Sequence, residues 1–298
     1  MRVLVLGAAG MLGHKLLQVL SERFTVAGTV RRPTGDYLKM PVLSNILLYG
    51  GVDAEKFSTI KNVVEEFQPD VILNAIGVVK QLKEAKAPII SISINALLPH
   101  KLAELCAKTG TRLVHFSTDC VFSGAVGGYK EKDNPDPLDI YGRSKLLGEV
   151  YGSQCLTLRT SIVGRELSRH TSLIDWFLGN SGGTVTGFSN AVYSGLTTQE
   201  LSHVVGRILV EQPSLSGLWH VSSEPISKFD LLTMLDRKMN LNIQINKDVD
   251  FRCDRSLDST EFWKVLGGSM PTWDKMTDQL LSDKTPYCEL VSQEKGVK

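Results

Sequence analysis

Short apolar runs alternate, through the first half of the chain, with longer stretches in which apolar residues recur every three or four positions. Residues 3–6, 25–30, 71–74, 113–117 and 156–159 read as strands with little polar alternation. Between them, Leu12, Leu16, Leu17 and Leu20 fall on one side of a predicted helix, and Ile60, Val63, Val64 and Phe67 on one side of another. Uniformly apolar strands alternating with amphipathic helices predict a parallel sheet covered on both faces, a doubly wound α/β fold of the Rossmann type. After Gly164 the rhythm loosens into a helix over 172–178, a Gly-rich stretch over 179–187, a helix over 198–209, a strand over 218–221 and a helix over 227–235. This pattern predicts a first domain over residues 1–164 and a smaller C-terminal lobe over 165–298, with segments of the latter returning to the former. The tail after Leu281, rich in Ser, Lys and Glu, is expected to be loose.

Composition narrows the classes of partner. A length of 298 residues with 42% hydrophobic content supports a sizeable core and the two-lobe division. The 33 Lys and Arg balance 32 Asp and Glu, so a net charge of +1 offers no broad field for nucleic acid or an anionic membrane. Neither is expected as a partner, and any anion must be recognised locally. Cys106, Cys120, Cys155, Cys253 and Cys288 are scattered without a C-x-x-C pair, which fits a reducing compartment and argues against zinc or any other metal site. The apolar span from Val3 to Ala8 runs straight into glycines without the length of a secretory signal, and no stretch reaches the ~20 apolar residues of a membrane helix. A cytoplasmic location is the expectation.

Chemistry enters at the first strand-to-helix turn, Leu6-Gly7-Ala8-Ala9-Gly10-Met11-Leu12-Gly13. Gly7 permits a tight turn, Gly10 lets backbone approach a diphosphate, and Gly13 allows close packing of the helix, whose N-terminus attracts the anion. Met11 and Leu12 are counted with this cofactor-binding loop. The second predicted strand ends in Thr29-Val30-Arg31-Arg32, where an NAD site usually carries a carboxylate. Arg31 and Arg32 suit the extra 2′-phosphate of NADP(H), which a guanidinium binds through forked hydrogen bonds; NAD(H) stays open as the alternative. Asp53 is a candidate acceptor for the adenine amino group, and Ala75 and Gly77 are small enough for a ribose to lie against their backbone.

Tyr141 and Lys145 stand four residues apart at the start of a predicted helix and therefore share a face. A nearby ammonium is expected to lower the pKa of the phenol toward neutrality, so that Tyr141 can exchange a proton with a carbonyl undergoing hydride transfer. Lys145 is also expected to bind the ribose of the nicotinamide. Thr118 ends the predicted strand His115-Phe116-Ser117-Thr118, at the edge where parallel sheets present ligand-binding groups, and its hydroxyl would orient the carbonyl.

These residues bring a resemblance into view. Ser117-Thr118-Asp119-Cys120-Val121-Phe122-Ser123-Gly124, Tyr129-x-Glu131-x-Asp133, Pro137-Leu138 and Tyr141-Gly142-x-Ser144-Lys145-x-x-x-Glu149 resemble the dTDP-4-dehydrorhamnose reductase branch of the extended short-chain dehydrogenase/reductase superfamily. Asn95-Ala96 with Pro99 and Leu102-Ala103, then Leu158-Arg159-Thr160-Ser161, continue the likeness. It implies NADPH-dependent reduction of a 4-keto-6-deoxy sugar joined to a nucleoside diphosphate, in deoxysugar or surface-polysaccharide biosynthesis. By the same resemblance Thr118, Tyr141 and Lys145 form the catalytic trio, and Asn95 lies near the site, behind the residues that touch substrate. The chain departs from the pattern at Cys120, where the family usually has a tyrosine, and in the loop Ile76-Gly77-Val78-Val79-Lys80-Gln81. Cys120 removes the acid that sugar-nucleotide dehydratases carry there; Lys80 could meet a substrate phosphate or hydroxyl, or be an ordinary solvated loop residue.

Arg165, Arg169, Arg252 and Arg255 are candidates for a diphosphate clamp, with Arg255 favoured because the resemblance extends to its neighbourhood. Trp176, Trp219, Trp263 and Trp273 are expected in the core, His220 in a structural role, and the apolar faces of the early helices are compatible with a homodimer. Two alternatives to a simple reductase stay open. A resemblance to GDP-fucose synthase at Cys120 and His170 suggests an epimerase or a bifunctional epimerase-reductase, the pair exchanging a proton beside the ketone. The other alternative is a non-catalytic NADP-binding regulatory subunit.

Overall fold

The computed structural model describes residues 1–78, 87–168 and 170–287. The apolar runs of the first half become β1 (Arg2–Leu6), β2 (Thr25–Thr29), β3 (Leu47–Tyr49), β4 (Val71–Asn74), β5 (Arg112–Thr118) and β6 (Cys155–Thr160). The intervening helices are α1 (Gly13–Leu20), α2 (Phe57–Phe67), α3 (Pro88–Ser91), α4 (Leu98–Thr109) and α5 (Ile140–Leu147), with a π-turn (Ile92–Leu97) joining α3 to α4. Then come β7 (Ile162–Val163), α6 (Leu173–Leu178), β8 (Thr184–Tyr193), β9 (Leu196–Thr197), α7 (Thr198–Glu211) and β10 (Gly217–His220). The chain continues through β11 (Ile226–Ser227), α8 (Lys228–Met239), β12 (Gln244–Asp254), α9 (Thr260–Leu266) and α10 (Trp273–Leu281).

The main sheet has seven strands in the order β10-β6-β5-β4-β1-β2-β3, and every pairing in it is parallel. Alternate residues of its strands feed two apolar layers. Val3, Val5, Leu73, Phe116 and Leu158 pack under α1 and α7 with Leu16, Leu17, Val205 and Ile208, whereas Leu4, Leu6, Ile72 and Leu113 pack under α2 and α4 with Ile60, Phe67, Leu98 and Leu102. This two-sided burial is why the strands carry so little polar alternation, and it makes the fold a doubly wound, Rossmann-type α/β sheet.

The composite helix Pro88–Thr109 is, by length and composition, long and apolar enough to cross a membrane, which the sequence reading had excluded; half of its most apolar window is buried against the sheet. The strand expected over 218–221 is β10, and it pairs with β6 at the edge of the main sheet rather than in the C-terminal lobe. A second sheet of three strands, ordered β11-β8-β12, stands beside the first. The end of the Gly-rich stretch opens its central strand β8. Its partner β12 is mostly exposed and carries Lys247, Asp248, Asp250, Arg252 and Asp254, a polar composition that gives no strand periodicity. Trp263 and Trp273 are buried as expected, Trp219 is half-buried, and Trp176, expected in the core, is 41% exposed.

Candidate active site

A cavity of about 690 Å³ opens at the C-terminal ends of β1, β2 and β4. Gly7, Gly10, Met11, Arg31, Arg32, Asp53, Ala75 and Gly77 line it, so most of the expected cofactor residues share one space. Gly7 has φ +84°, and a Cβ there would lie 3.1 Å from the Ala75 carbonyl oxygen. At Gly13 a Cβ would fall 2.0 Å from the Gly7 carbonyl oxygen, so the start of α1 can close on the loop only as glycine. Leu12 and Gly13, counted with the cofactor-binding loop, are buried where that loop joins α1. Arg31 and Arg32 are exposed at the cavity wall; Arg31 lies 3.9 Å from Glu55, and Arg32 faces the ring of Tyr37 at 5.9 Å. The open cavity, the glycine turn and the two exposed cations fit a dinucleotide with an additional phosphate. Glu166, Leu167 and Ser168 complete the wall from beyond residue 164, a contribution that no motif announced.

The side chains expected to react stand on β5 and α5. Asp139 caps α5, its carboxylate accepting from the Gly142 N–H at 2.8 Å, and this aims the first turn, with Tyr141, at the end of β5. Thr118 donates to Asp119 Oδ1 at 3.1 Å and accepts from the Cys120 N–H at 3.1 Å, which fixes its hydroxyl at the strand end. Lys145 is buried and donates to the Phe116 carbonyl at 2.5 Å. Burial pulls its ammonium down to about 8, opposed by Glu149. The expectation that Lys145 lowers the pKa of Tyr141 is not met. Burial pushes the phenol well above its ordinary value, Cys120 adds to the effect, and a hydrogen bond with Thr118 only partly opposes it.

Asn95 connects this end to the cavity. Its Oδ1 accepts from the Val78 N–H at 2.9 Å, while its Nδ2 donates to the Val78 carbonyl at 3.1 Å and to Ser144 Oγ at 3.3 Å. Ser144 in turn donates to the Tyr141 carbonyl at 2.9 Å. Asn95 is buried and bonded on both sides, which places it as a bracket between the loop after β4 and α5 rather than as a group facing a ligand.

On the other side of Thr118, Arg255 donates from Nε to the Phe122 carbonyl at 2.9 Å and from Nη2 to the Ser123 carbonyl at 3.3 Å, while Nη1 lies 3.7 Å from Cys120 Sγ. Lys228, missed by the sequence reading, has its Nζ 3.5 Å from the centroid of the Tyr193 ring. Burial lowers it to about 8, against the favourable charges of Asp119, Cys120 and Cys253. The buried Tyr193 hydroxyl finds no partner among the described residues. Its only sequence signal was a Lys at a predicted helix start after a strand. Of the other arginines, Arg165 is held by Asp175 at 3.0 Å, Arg252 is exposed on β12, and Arg169, like Lys80, lies outside the described residues. His170 Nδ1 sits 3.6 Å from the same Asp175, whereas Cys120 sits with Arg255, so the pair suggested for proton exchange has different neighbours. His220 is buried and bonded to the Tyr129 carbonyl at 3.0 Å and to Arg159 at 3.3 Å.

Beneath the site, Arg159 and Glu149 form a buried, two-pronged ion pair at 2.7 and 2.8 Å, and Glu149 also accepts from Ser117 at 2.7 Å. This network ties the end of α5 to β5 and β6.

A family model described as the RmlD substrate binding domain matches residues 1–246. The dTDP-4-dehydrorhamnose reductase of Aggregatibacter actinomycetemcomitans is 28% identical over 249 residues, covering 77% of this chain and 76% of that protein. Methionine adenosyltransferase 2 subunit beta of Xenopus tropicalis is 29% identical over 152 residues, covering 50% of this chain and 41% of that protein. Among solved structures, a dTDP-4-dehydrorhamnose reductase from Bacillus anthracis in complex with NADP has the same fold, with a TM-score of 0.78 at 22% identity over 94% of this chain and 98% of the other.

Proposed function

The chain belongs to the RmlD substrate binding domain family, and from that membership we propose that it reduces a 4-keto-6-deoxy sugar nucleotide with NADPH, in the cytoplasm, as a step of deoxysugar or surface-polysaccharide synthesis. One observation carries the reading: Asn95 couples the dinucleotide-shaped cavity to the helix bearing Tyr141 and Lys145, which faces Thr118. Residues 1–164 would supply most of the cofactor side and residues 165–298 most of the sugar side. When bound, the dinucleotide supplies the hydride.

The chain's own residues manage the proton and the orientation. Burial keeps Tyr141 protonated at neutral pH, the form that can donate to an oxygen gaining negative charge at C4. Thr118 holds that oxygen by turning its one hydroxyl proton from Asp119 to the substrate, and Lys145 steadies the ribose next to it. The Thr118 hydrogen bond is what favours the phenolate left after transfer, since Lys145 is engaged by the Phe116 carbonyl. Arg255 accompanies the diphosphate of the sugar nucleotide, and Cys120 leaves room where a phenol would stand. Gly7, Gly10, Met11, Ala75 and Gly77 take the backbone contacts of the cofactor; Arg31 and Arg32 take its 2′-phosphate, and Asp53 its adenine. NADH is the weaker alternative.

Purified protein mixed with NADPH and a panel of 4-keto sugar nucleotides tests this. Loss of the reduced-nicotinamide absorbance with one of them is expected, and product formed without net oxidation would make the chain an epimerase. The similarity to a protein named as an enzyme subunit favours a second reading, a nucleotide-binding subunit without turnover. Cofactor binding with no turnover of any substrate in the panel would decide for it. Exposed Ile89, Ile92, Leu97 and Leu147 on neighbouring helices support a homodimer, which sedimentation would reveal as a doubled mass.

A further inference from the structure

One buried side-chain cluster outside the reacting groups joins the two walls of the cavity. His14 and Lys15 of α1 follow directly on the glycine loop and are 0% and 5% exposed. Residues 283–287 cross this helix after α10. Lys15 Nζ lies 2.6 Å from Asp283 Oδ2 and donates to Thr285 Oγ1 at 2.9 Å, and Gln18 donates to Thr285 at 3.1 Å. The Tyr287 hydroxyl lies 2.9 Å from His14 Nε2 and 3.1 Å from Asp283 Oδ2. The other ring nitrogen of His14 faces the Gly10 carbonyl at 2.8 Å. That carbonyl can only accept, so the His14 proton sits on Nδ1, and Nε2 and the Asp283 carboxylate share the single hydroxyl proton of Tyr287 between them. Burial holds His14 down to about 4, so the ring is neutral at physiological pH and this arrangement persists.

The opposite edge of the cluster reaches the other wall. The Arg165 guanidinium stacks 4.4 Å from the centroid of the Tyr287 ring and pairs with Asp175 at 3.0 Å. The second oxygen of Asp175 accepts from the Glu166 N–H at 2.8 Å, and Glu166, Leu167 and Ser168 line the cavity across from Gly10 and Met11. Tyr287 is thus a wedge with the glycine-loop helix on one side and the 165–168 wall on the other.

We propose that Tyr287, held by Asp283, is a positioning residue for the dinucleotide, setting the separation of the glycine loop from the 165–168 wall and hence the fit of the diphosphate between them. The inference rests on the reading of the cavity as a dinucleotide site. Because the wedge acts on the part common to both nucleotides, its loss weakens NADPH and NADH by one factor, unlike a change at Arg31 or Arg32.

Titration calorimetry of the full chain with NADPH and with NADH, together with Tm, separates the possibilities. Tyr287→Ala is expected to raise both Kd values about tenfold and Tyr287→Phe about fivefold, as the loss of one or two hydrogen bonds implies. kcat at saturating cofactor should stay within about twofold of wild type. Tyr287→Phe keeps the ring and so guards against a variant that fails to fold. Phe262→Leu, on the buried face of α9, serves as a control that lowers Tm without touching the wedge. Unchanged Kd values in both Tyr287 variants, or the same rise in Phe262→Leu, would overturn the proposal, as would unequal factors for the two nucleotides. Wild-type protein that binds neither nucleotide would instead overturn the cofactor reading and the wedge with it.

Discussion

The proposed cofactor end and the proposed reacting end of this molecule are built from different material. The former is a cavity lined by the glycines of the first turn together with larger side chains such as Met11, Tyr37 and Ile76, with its two arginines in solvent. The latter holds titratable side chains, Asp119 and Lys145 among them, in low-dielectric surroundings. A binding cavity is governed by shape, so substitutions there should change affinity. A site made of buried ionisable groups is governed by protonation, so substitutions there should change rate or stability.

The strongest test of that division is Tyr141→Phe. Removal of the proton donor should lower kcat by about 10²- to 10⁴-fold, the usual range for general acid help, with the Kd of NADPH nearly unchanged. Activity within a few-fold of wild type would mean that another group supplies the proton. Beneath the same end, Glu149→Gln leaves Arg159 as an uncompensated charge where both side chains are 2–3% exposed. A loss of about 3–5 kcal/mol in urea unfolding is expected. The exposed pair of Glu104 and Lys108 gives the contrast: Glu104→Gln should leave the urea midpoint nearly unchanged.

At the cofactor end, replacing Arg31 and Arg32 together by Ala should weaken NADPH by about tenfold or more while sparing NADH, because only the former carries the phosphate that a guanidinium fork binds. Equal losses would remove the assignment of that phosphate to these residues.

A smaller effect separates the ends by pH. Lys145, lowered to about 8, loses its charge as pH rises through that value, so kcat/KM should fall on the alkaline side while NADPH affinity stays nearly level. The stability sign is opposite. Between about 8 and the ordinary value of 10.5, the unfolded chain keeps a lysine proton that the folded chain has lost, so this group's contribution to stability grows with pH. A flat kcat/KM profile from pH 7 to 10 would show that the ammonium is not needed. The smallest expected signal is isotopic. Incubation of a 4-keto sugar nucleotide with the protein in D₂O without NADPH should leave C3 and C5 free of deuterium by NMR, since Cys120 and His170 have different neighbours. Incorporation abolished by Cys120→Ser would restore the epimerase reading.

The same contrast explains what the sequence disclosed. Glycines at a strand-to-helix turn are a local requirement, written in consecutive letters, and the apolar strands of a two-sided sheet announce themselves in the same way. The direction of the Tyr141 shift was not legible, because spacing places Lys145 on the same face but does not reveal that its ammonium is engaged by the Phe116 carbonyl and that burial outweighs it. Lys228 and Tyr193 meet beside Asp119 only through the pairing of β8 with β11, a contact across 33 residues that neither segment encodes alone. Strand β12 escaped for a related reason: its charged residues are tolerated because one face of the second sheet meets solvent.

The position of β10 at the edge of the main sheet has a consequence for how the molecule is made. During synthesis, the six strands up to β6 emerge before the seventh, and more than fifty residues separate Thr160 from Gly217. Until β10 arrives, β6 is an edge with every residue of its run apolar or destined for burial, the kind of exposed ladder that recruits strands from other chains. A nascent chain paused between these points is therefore the form of this protein most in need of a chaperone, and a fragment ending near residue 164 is expected to aggregate where the full chain does not.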